Sequence, residues 1–199
     1  AFLNTSERKI WTAEDPIEIA QSGLRQIQVN AKIGWTFAAA MRTILRADPD
    51  VIMVGEMRDT ETAHAGIEAS LTGHLVLSTL HTNSAPEAVT RLLDMGLDPF
   101  NFADALLGVL AQRLVRRLCN ACRHRDAAST EVVDTLAHEY CLNSTLDAAL
   151  VRRRWQTEYG NGGELTLMRP VGCEACHQTG YRGRLALHEL LLGTHEIRR

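Results

Sequence analysis

Apolar residues in the first half of the chain come in short unbroken runs, and between the runs they fall at helical spacing. Val51, Ile52, Met53 and Val54 follow one another directly, and His74-Leu-Val-Leu-Ser-Thr79 holds a second run. Runs this short without alternation fit strands of a parallel sheet buried on both faces. Lys9-Ile-Trp-Thr-Ala13 is a third β-prone segment, and Glu14-Asp-Pro16 stops it because proline cannot donate to a strand ladder. Thr36-Phe-Ala-Ala-Ala-Met-Arg-Thr-Ile-Leu-Arg46 is rich in helix formers behind a threonine cap, and Asp48-Pro49 ends it. A helix capped by Asp59 or Thr60 runs to about Leu71 and stops at Gly73. Ser84-Ala-Pro-Glu87 has the spacing of a capping box with proline in the first turn, and its helix ends at Gly96. A last helix over about 103–118 places Leu107, Leu110, Leu114, Val115 and Leu118 on one face. Ile17 to Ile19 and Gln26 to Val29 alternate briefly around Ser22-Gly23, which predicts a small hairpin-like excursion outside the main layer.

Strands taking turns with helices predict an α/β fold, a parallel sheet with helices on both faces. Ligands of such sheets sit beyond the carboxyl ends of the strands. At that end the first strand leaves Glu14 and Asp15, the second Glu56 and Arg58, and the third Ser78, Thr79 and His81. Taken singly, polar residues at strand ends are mostly solvated or cap a helix. Their coincidence across three strands points to a crevice that holds hydrated magnesium and polarises a water against a phosphoryl group.

Composition narrows the class without changing this picture. A chain of 199 residues with 45% hydrophobic and 23% charged content can bury a sizeable core in one or two domains. Its formal net charge of -3 argues against a dedicated nucleic-acid partner. No apolar run approaches the roughly 18 to 20 residues needed to cross a bilayer. Ala1-Phe-Leu-Asn-Thr-Ser-Glu7 has neither the basic start nor the apolar stretch of a signal peptide. The chain opens without methionine, in what reads as the middle of a domain, so it is expected to be a piece of a longer protein.

Cysteine supplies a second signal. Cys119-Asn-Ala-Cys122 and Cys173-Glu-Ala-Cys176 are two Cys-x-x-Cys pairs, and two pairs can close a tetrahedral thiolate site around zinc. Three rival readings stay open: Cys173-Glu-Ala-Cys-His177 also matches a haem c attachment pattern, either pair could be a redox dithiol, and Cys-x-x-Cys-x-x-x-Gly is shared with the zinc region of DnaJ-type chaperones. Four plain core cysteines would not sit beside so many polar neighbours. Cys141 is left over and reads as structural or incidental. Arg113, Arg116, Arg117, Arg123 and Arg125, with Arg152 to Arg154, make the region basic; few aromatics accompany them, so a solvated or protein-contact face is favoured over base stacking. About 125–164 reads as an insertion with modest helical patterning before the Gly160-Asn-Gly-Gly163 turn.

Together these residues resemble the type II/IV secretion ATPases, the GspE/PilB group. Thr12-Ala-Glu-Asp-Pro-Ile-Glu18 looks like the family's Asp box, Leu45-Arg-Ala-Asp-Pro-Asp-Val-Ile-Met-Val-Gly-Glu-Met-Arg-Asp59 like its Walker B segment, and Ala69-Ser-Leu-Thr-Gly-His-Leu-Val-Leu-Ser-Thr-Leu-His-Thr-Asn83 like its His box. Leu107 to Cys119 and Gly172 to Arg184 resemble its tetracysteine module, and His188-Glu-Leu-Leu191 its next segment; only about 126–168 lies outside the likeness. The resemblance implies a partial RecA-like domain over 1–117, a zinc-binding tetracysteine module over 118–183, and the start of a C-terminal helical region over 184–199. It implies ATP, magnesium and zinc as cofactors. Glu14 would polarise the attacking water and Glu56 would hold magnesium, with the division of roles between the two left open. Asp15 and Arg58 would flank the nucleotide, and His74 and His81 would approach the γ-phosphate. Cys119, Cys122, Cys173 and Cys176 would hold zinc.

One departure matters. The family's phosphate-binding loop, Gly-x-x-x-x-Gly-Lys-[Ser/Thr], is absent from these 199 residues. It is expected upstream of Ala1, so the chain alone should bind ATP poorly. By resemblance the intact protein is a cytoplasmic homohexamer, held to inner-membrane platform proteins, that powers assembly of a type II pseudopilus or type IV pilus. Relatives that retract pili generally lack the tetracysteine module, which favours extension or secretion. A DNA uptake or transfer motor and a zinc-stapled adaptor without turnover are the alternatives.

Overall fold

The structure, a computed structural model, describes residues 2–142 and 144–198. Strands β1 (Ile10–Glu14), β2 (Leu24–Gln28), β3 (Val51–Val54) and β4 (Leu75–Ser78) form a parallel sheet in the spatial order β2-β1-β3-β4. Ala13 lies opposite Val54, and Val54 opposite Ser78, so the three carboxyl ends finish level. The expected hairpin-like excursion is instead an edge strand of this sheet: β2 runs parallel to β1 from Leu24 to Gln28. Burial decides this, because Ile27 and Val29 pack against the main core.

Helix α1 (Phe37–Ile44) starts where Thr36 Oγ1 accepts from the Ala39 N–H at 3.2 Å, and it tightens into a 3-10 turn at Leu45–Ala47. Helix α2 (Thr60–Leu71) is capped by Asp59, whose Oδ1 accepts from Thr62 N at 2.8 Å. Together they cover the sheet face that carries Ala13, Ile52 and Val54, burying Met41 and Ile44 from α1 and Ala69 from α2. Each large aliphatic side chain buried this way stabilises the fold by about 1.5–3 kcal/mol. The sheet is not covered equally on both faces as expected. Met53 and Leu77, paired on the other face, remain 36% and 43% exposed. Helices α3 (Ala85–Asp94), capped by Ser84, and α4 (Pro99–Ala105), capped by Asp98, complete this unit, with Leu92, Leu97 and Phe102 packed on Ala63 of α2.

The chain after α4 departs from expectation. Residues 103–118 do not form one helix: α4 ends at Ala105 and strand β5 runs over Gly108–Leu118. In β5, half-buried Val109 and Ala111 alternate with exposed Gly108, Leu110 and Gln112, a period of two beneath the helix-like leucine spacing. Beyond it, β6 (His124–Ala127), α5 (Thr130–Cys141), α6 (Ala148–Tyr159) and β7 (Thr166–Arg169) lead to β8 (Tyr181–Leu192). β5 and β8 pair as a two-stranded ribbon. Gly108 permits the pairing, since a Cβ there would lie 2.9 Å from the Leu191 carbonyl oxygen. Residues 184–192, expected to begin a helical region, are therefore strand, and cross-strand pairing overrides local propensity.

Two compact units result: residues 1–112 with 188–199, and residues 113–187. In the second, β6 and β7 pair antiparallel, and α5 and α6 form a helical pair. Tyr140 meets Trp155 edge-on at 5.4 Å, Arg152 bonds Asp134 at 2.6 Å, and Val133, Ala137 and Val151 are buried. This is the segment that reads from sequence as a modestly helical insertion. Among the described residues no helix is long and apolar enough to cross a membrane.

Candidate functional site

Parallel pairing brings the ends of β1, β3 and β4 to one edge, and with them the polar residues that follow each strand. Glu56 stands two residues past β3 with its side chain only 12% exposed. Its Oε2 takes both nitrogen neighbours: Arg58 Nε bonds it, and His81 Nε2 lies 3.3 Å away. An ionised carboxylate only accepts, so this contact requires His81 to carry its proton on Nε2. Arg58 and His81 are themselves 66% and 85% exposed, so a largely buried carboxylate faces solvent across two exposed side chains. The loop bearing His81 is tied to β3, as Thr79 Oγ1 donates to the Gly55 carbonyl at 2.6 Å and the Met57 N–H donates to the Thr79 carbonyl at 3.1 Å.

Glu14 occupies the adjacent strand end. Its Oε1 accepts from Thr12 Oγ1 and, at 2.9 Å, from Gln26 Nε2. Thr12 and Gln26 are functional neighbours that the sequence reading missed. The two-residue spacing of Thr12 and Glu14 on one strand was visible, but Gln26 faces Thr12 only because β2 lies parallel to β1. Asp15 follows in the exposed turn after β1. Thus Glu56, Arg58 and His81 come together, with Glu14 at the neighbouring strand end. His74 does not join them: it precedes β4, at the opposite edge of the sheet, where its Nδ1 lies 2.9 Å from the Ala69 carbonyl and 3.2 Å from Thr72 Oγ1. The hard carboxylate oxygens of Glu14 and Glu56 are the donor type magnesium takes, and both contacts of Glu56 fall on Oε2, away from Oε1.

On the far side of β4 a groove of about 670 Å³ opens towards the start of β5. Leu75, Leu77, Leu80, Leu107, Val109 and Ala111 supply much of its apolar lining. β4 is the edge strand there, so its outer backbone groups face this groove.

In the second unit, Cys119, Cys122, Cys173 and Cys176 bring their four sulfurs within 4.8 Å of one another. Cys119 and Cys173 are 4.0 Å apart, Cys122 and Cys176 3.8 Å, and Cys173 and Cys176 3.7 Å. A disulfide needs about 2.05 Å, whereas a tetrahedron of roughly 2.3 Å zinc–sulfur bonds puts its sulfurs about 3.8 Å apart, so these residues fit zinc. Backbone N–H groups support the sulfurs: Gly172 donates to Cys122 at 3.3 Å, and Cys173 and Gly180 each donate to Cys176 at 3.2 Å. Gly180 sits at φ 73° with a Cβ position 2.5 Å from Pro170 Cβ, so only glycine lets that amide reach the sulfur. Burial pushes the Cys173 thiol up to about 11, helped by the neighbouring sulfurs of Cys176 and Cys122. Burial acts the same way on Cys176, but the amides of Cys173 and Gly180 outweigh it and bring that thiol down to about 6. Cys141, at the end of α5, is outside the cluster.

The family model for type II/IV secretion system proteins matches residues 1–199. The type II secretion system protein HxcR of Pseudomonas aeruginosa is 50% identical over 199 residues, all of this chain and 34% of that protein. The type II secretion system ATPase E of Vibrio cholerae is 50% identical over 190 residues, 96% of this chain and 34% of its own length. A putative type II secretion system protein E of Escherichia coli K12 is 47% identical over 98% of this chain and 36% of its own. The chain thus spans about a third of these relatives. The crystal structure of the pilus retraction motor PilT with bound ADP superposes with a TM-score of 0.54 at 37% identity, over 60% of this chain and 38% of PilT. The ATPase DotB of Legionella pneumophila shares the fold, with a TM-score of 0.55 at 24% identity over 98% of this chain and 40% of DotB. With a family model matched along its whole length and relatives at half identity, the chain belongs to the type II/IV secretion system protein family.

Proposed function

We propose that the intact protein hydrolyses ATP to power assembly of a type II pseudopilus or type IV pilus, and with it protein secretion across the outer membrane. The observation that carries this reading is the nearly buried Glu56 carboxylate at the end of a parallel strand, with Arg58 and His81 on one of its oxygens and Glu14 at the next strand end. Catalysis of phosphoryl transfer depends mainly on positioning and charge neutralisation, and these residues supply both. Glu14, fixed by Thr12 and Gln26, orients a water for attack. Glu56 would hold magnesium, directly or through a water, and His81 and Arg58 would approach the γ-phosphate. Magnesium supplies neutralisation of the charge that develops on the phosphoryl oxygens. Asp15 and His74 complete the set of nucleotide-facing residues implied by the family likeness; for His74, at the other sheet edge, that role requires a neighbouring subunit of a hexamer.

A phosphate-binding loop, a pattern residues 1–199 do not contain, would complete the site. A strand carrying it fits the apolar groove between β4 and β5, where the outer edge of β4 would give it backbone partners. Zinc at the four cysteines staples the second unit. The assembled ATPase works at the cytoplasmic face of the inner membrane through platform proteins. In the full-length protein, Glu56→Gln should abolish ATP hydrolysis while leaving the fold intact. Hydrolysis by the variant at the wild-type rate would remove Glu56 from catalysis, and a wild-type protein without turnover would leave an adaptor.

A further inference from the structure

The first backbone N–H of α3, on Ala85, donates to Glu189 Oε2 at 2.8 Å, across 104 positions of chain. The other caps of helix α3 serve different amides, and the fully buried Ala85 takes its acceptor from β8. Ser84 Oγ already accepts from Glu87 N at 3.3 Å, and Glu87 Oε2 accepts from Asn83 N at 2.8 Å. What the bond adds is attachment to β8. That strand is itself held level with β5 at this point, since His188 Nε2 lies 3.2 Å from Gln112 Oε1. A carboxylate on the N-terminal amides of a helix is a charge-assisted contact in the favourable sense of the helix dipole.

The loop between β4 and α3 is therefore fastened at both ends. At its start Thr79 bonds Gly55 and Met57 of the β3 segment; at its end Ala85 bonds Glu189. His81 lies between the two anchors, its side chain 85% exposed and in contact with the Glu56 carboxylate. With an imidazole this exposed, the loop backbone sets where it meets Glu56.

We propose that Glu189 is a positioning residue, which holds the start of α3 on β8 and so fixes the loop from which His81 meets Glu56. This rests on the reading of the strand-end site as an ATPase, but it can be tested apart from it. The experiment uses the full-length protein with Glu189→Ala, Glu189→Gln, His81→Ala and the Glu189→Ala/His81→Ala pair, measuring steady-state ATP hydrolysis and the imidazole NMR resonances of His81. Glu189→Ala should lower kcat about tenfold to a hundredfold with KM within about twofold, as expected for a misplaced group near the reacting atoms. Glu189→Gln, whose amide oxygen still accepts, should keep most of the rate. The double variant should be no slower than His81→Ala alone, because residues acting through one another are not additive. The His81 resonances should move in Glu189→Ala and stay in place in Glu189→Gln. Additive losses in the double variant, or unmoved His81 resonances in Glu189→Ala, would overturn the proposal. Should Glu189→Ala fail to fold, Glu189→Asp, one methylene shorter, must move the His81 resonances away from their wild-type positions, and no movement there overturns it equally. A wild-type protein that hydrolyses no ATP sinks the catalytic reading instead, and the resonances then still decide the role of Glu189.

Discussion

His81 Nε2 and Glu56 Oε2 lie 3.3 Å apart, joining the loop after β4 to the carboxylate after β3 across 25 positions of sequence. Arg58 shares that same oxygen. His81→Ala leaves Glu56 with Arg58 as its remaining charged partner, so the fold should hold while the chemistry suffers. In the full-length protein kcat should fall about a hundredfold, in the range seen when one transition-state donor is removed. Circular dichroism melting of the same variant should move by only a few degrees.

Glu14 depends on its neighbours for orientation. Gln26→Leu removes the 2.9 Å bond from Nε2 to Glu14 Oε1 and leaves Thr12 as the remaining donor to that oxygen. A water-orienting carboxylate that can turn should lose about tenfold in kcat with little change in KM. Equal loss from Gln26→Leu in a Glu14→Gln background would show that Gln26 acts elsewhere.

Four sulfurs spaced 3.7–4.0 Å at their closest pairs should hold about one zinc per chain, measurable by elemental analysis of purified protein. Cys119→Ser and Cys173→Ser should each lose the metal. Chelation should lower the melting temperature of the unit formed by residues 113–187. Iron with haem absorbance would contradict the assignment.

Zinc retention should depend on pH in a definite direction. A thiol brought down to about 6 by backbone amides is largely thiolate at pH 7, so Cys176 adds proton competition as the pH falls through about 6, and zinc affinity should drop more steeply below that point. Cys173, pushed up to about 11, is still a thiol at pH 7 in the metal-free chain. Metal binding at pH 7 should therefore release a proton from Cys173. Titration calorimetry in buffers of different ionisation enthalpy measures that release.

Ile52 is fully buried between α1 and the sheet. Ile52→Ala should destabilise the first unit by about 2–5 kcal/mol, the usual range for truncating a core aliphatic side chain. Urea unfolding of the two proteins reads the difference directly.

Much of the first unit was legible in the residues alone. The unbroken runs at Val51 to Val54 and Leu75 to Ser78 announced strands of a parallel sheet, although coverage of both faces was expected and Met53 and Leu77 stay exposed on one. Thr36, Asp59 and Ser84 announced helix starts because their side-chain oxygens satisfy amides that no helix can satisfy internally. From parallel strands it followed that Glu14, Glu56 and His81 would leave at one edge, and the two Cys-x-x-Cys pairs carried their own chemistry. Other features were decided only in three dimensions. Residues 108–118 have leucines at helical spacing, yet they are strand because β8 offers them a partner some seventy positions further on. Gln26 joins Glu14 only through a register between β1 and β2 that no local pattern specifies. His74 and His81 look alike in sequence, seven positions apart, but a strand lies between them and sends them to opposite edges of the sheet. Glu189 touches α3 because folding brings together residues 104 positions apart. Local sequence governs capping, propensity and periodicity, which act within a few residues; partners chosen by burial and strand pairing belong to the whole chain, and only the tertiary structure names them.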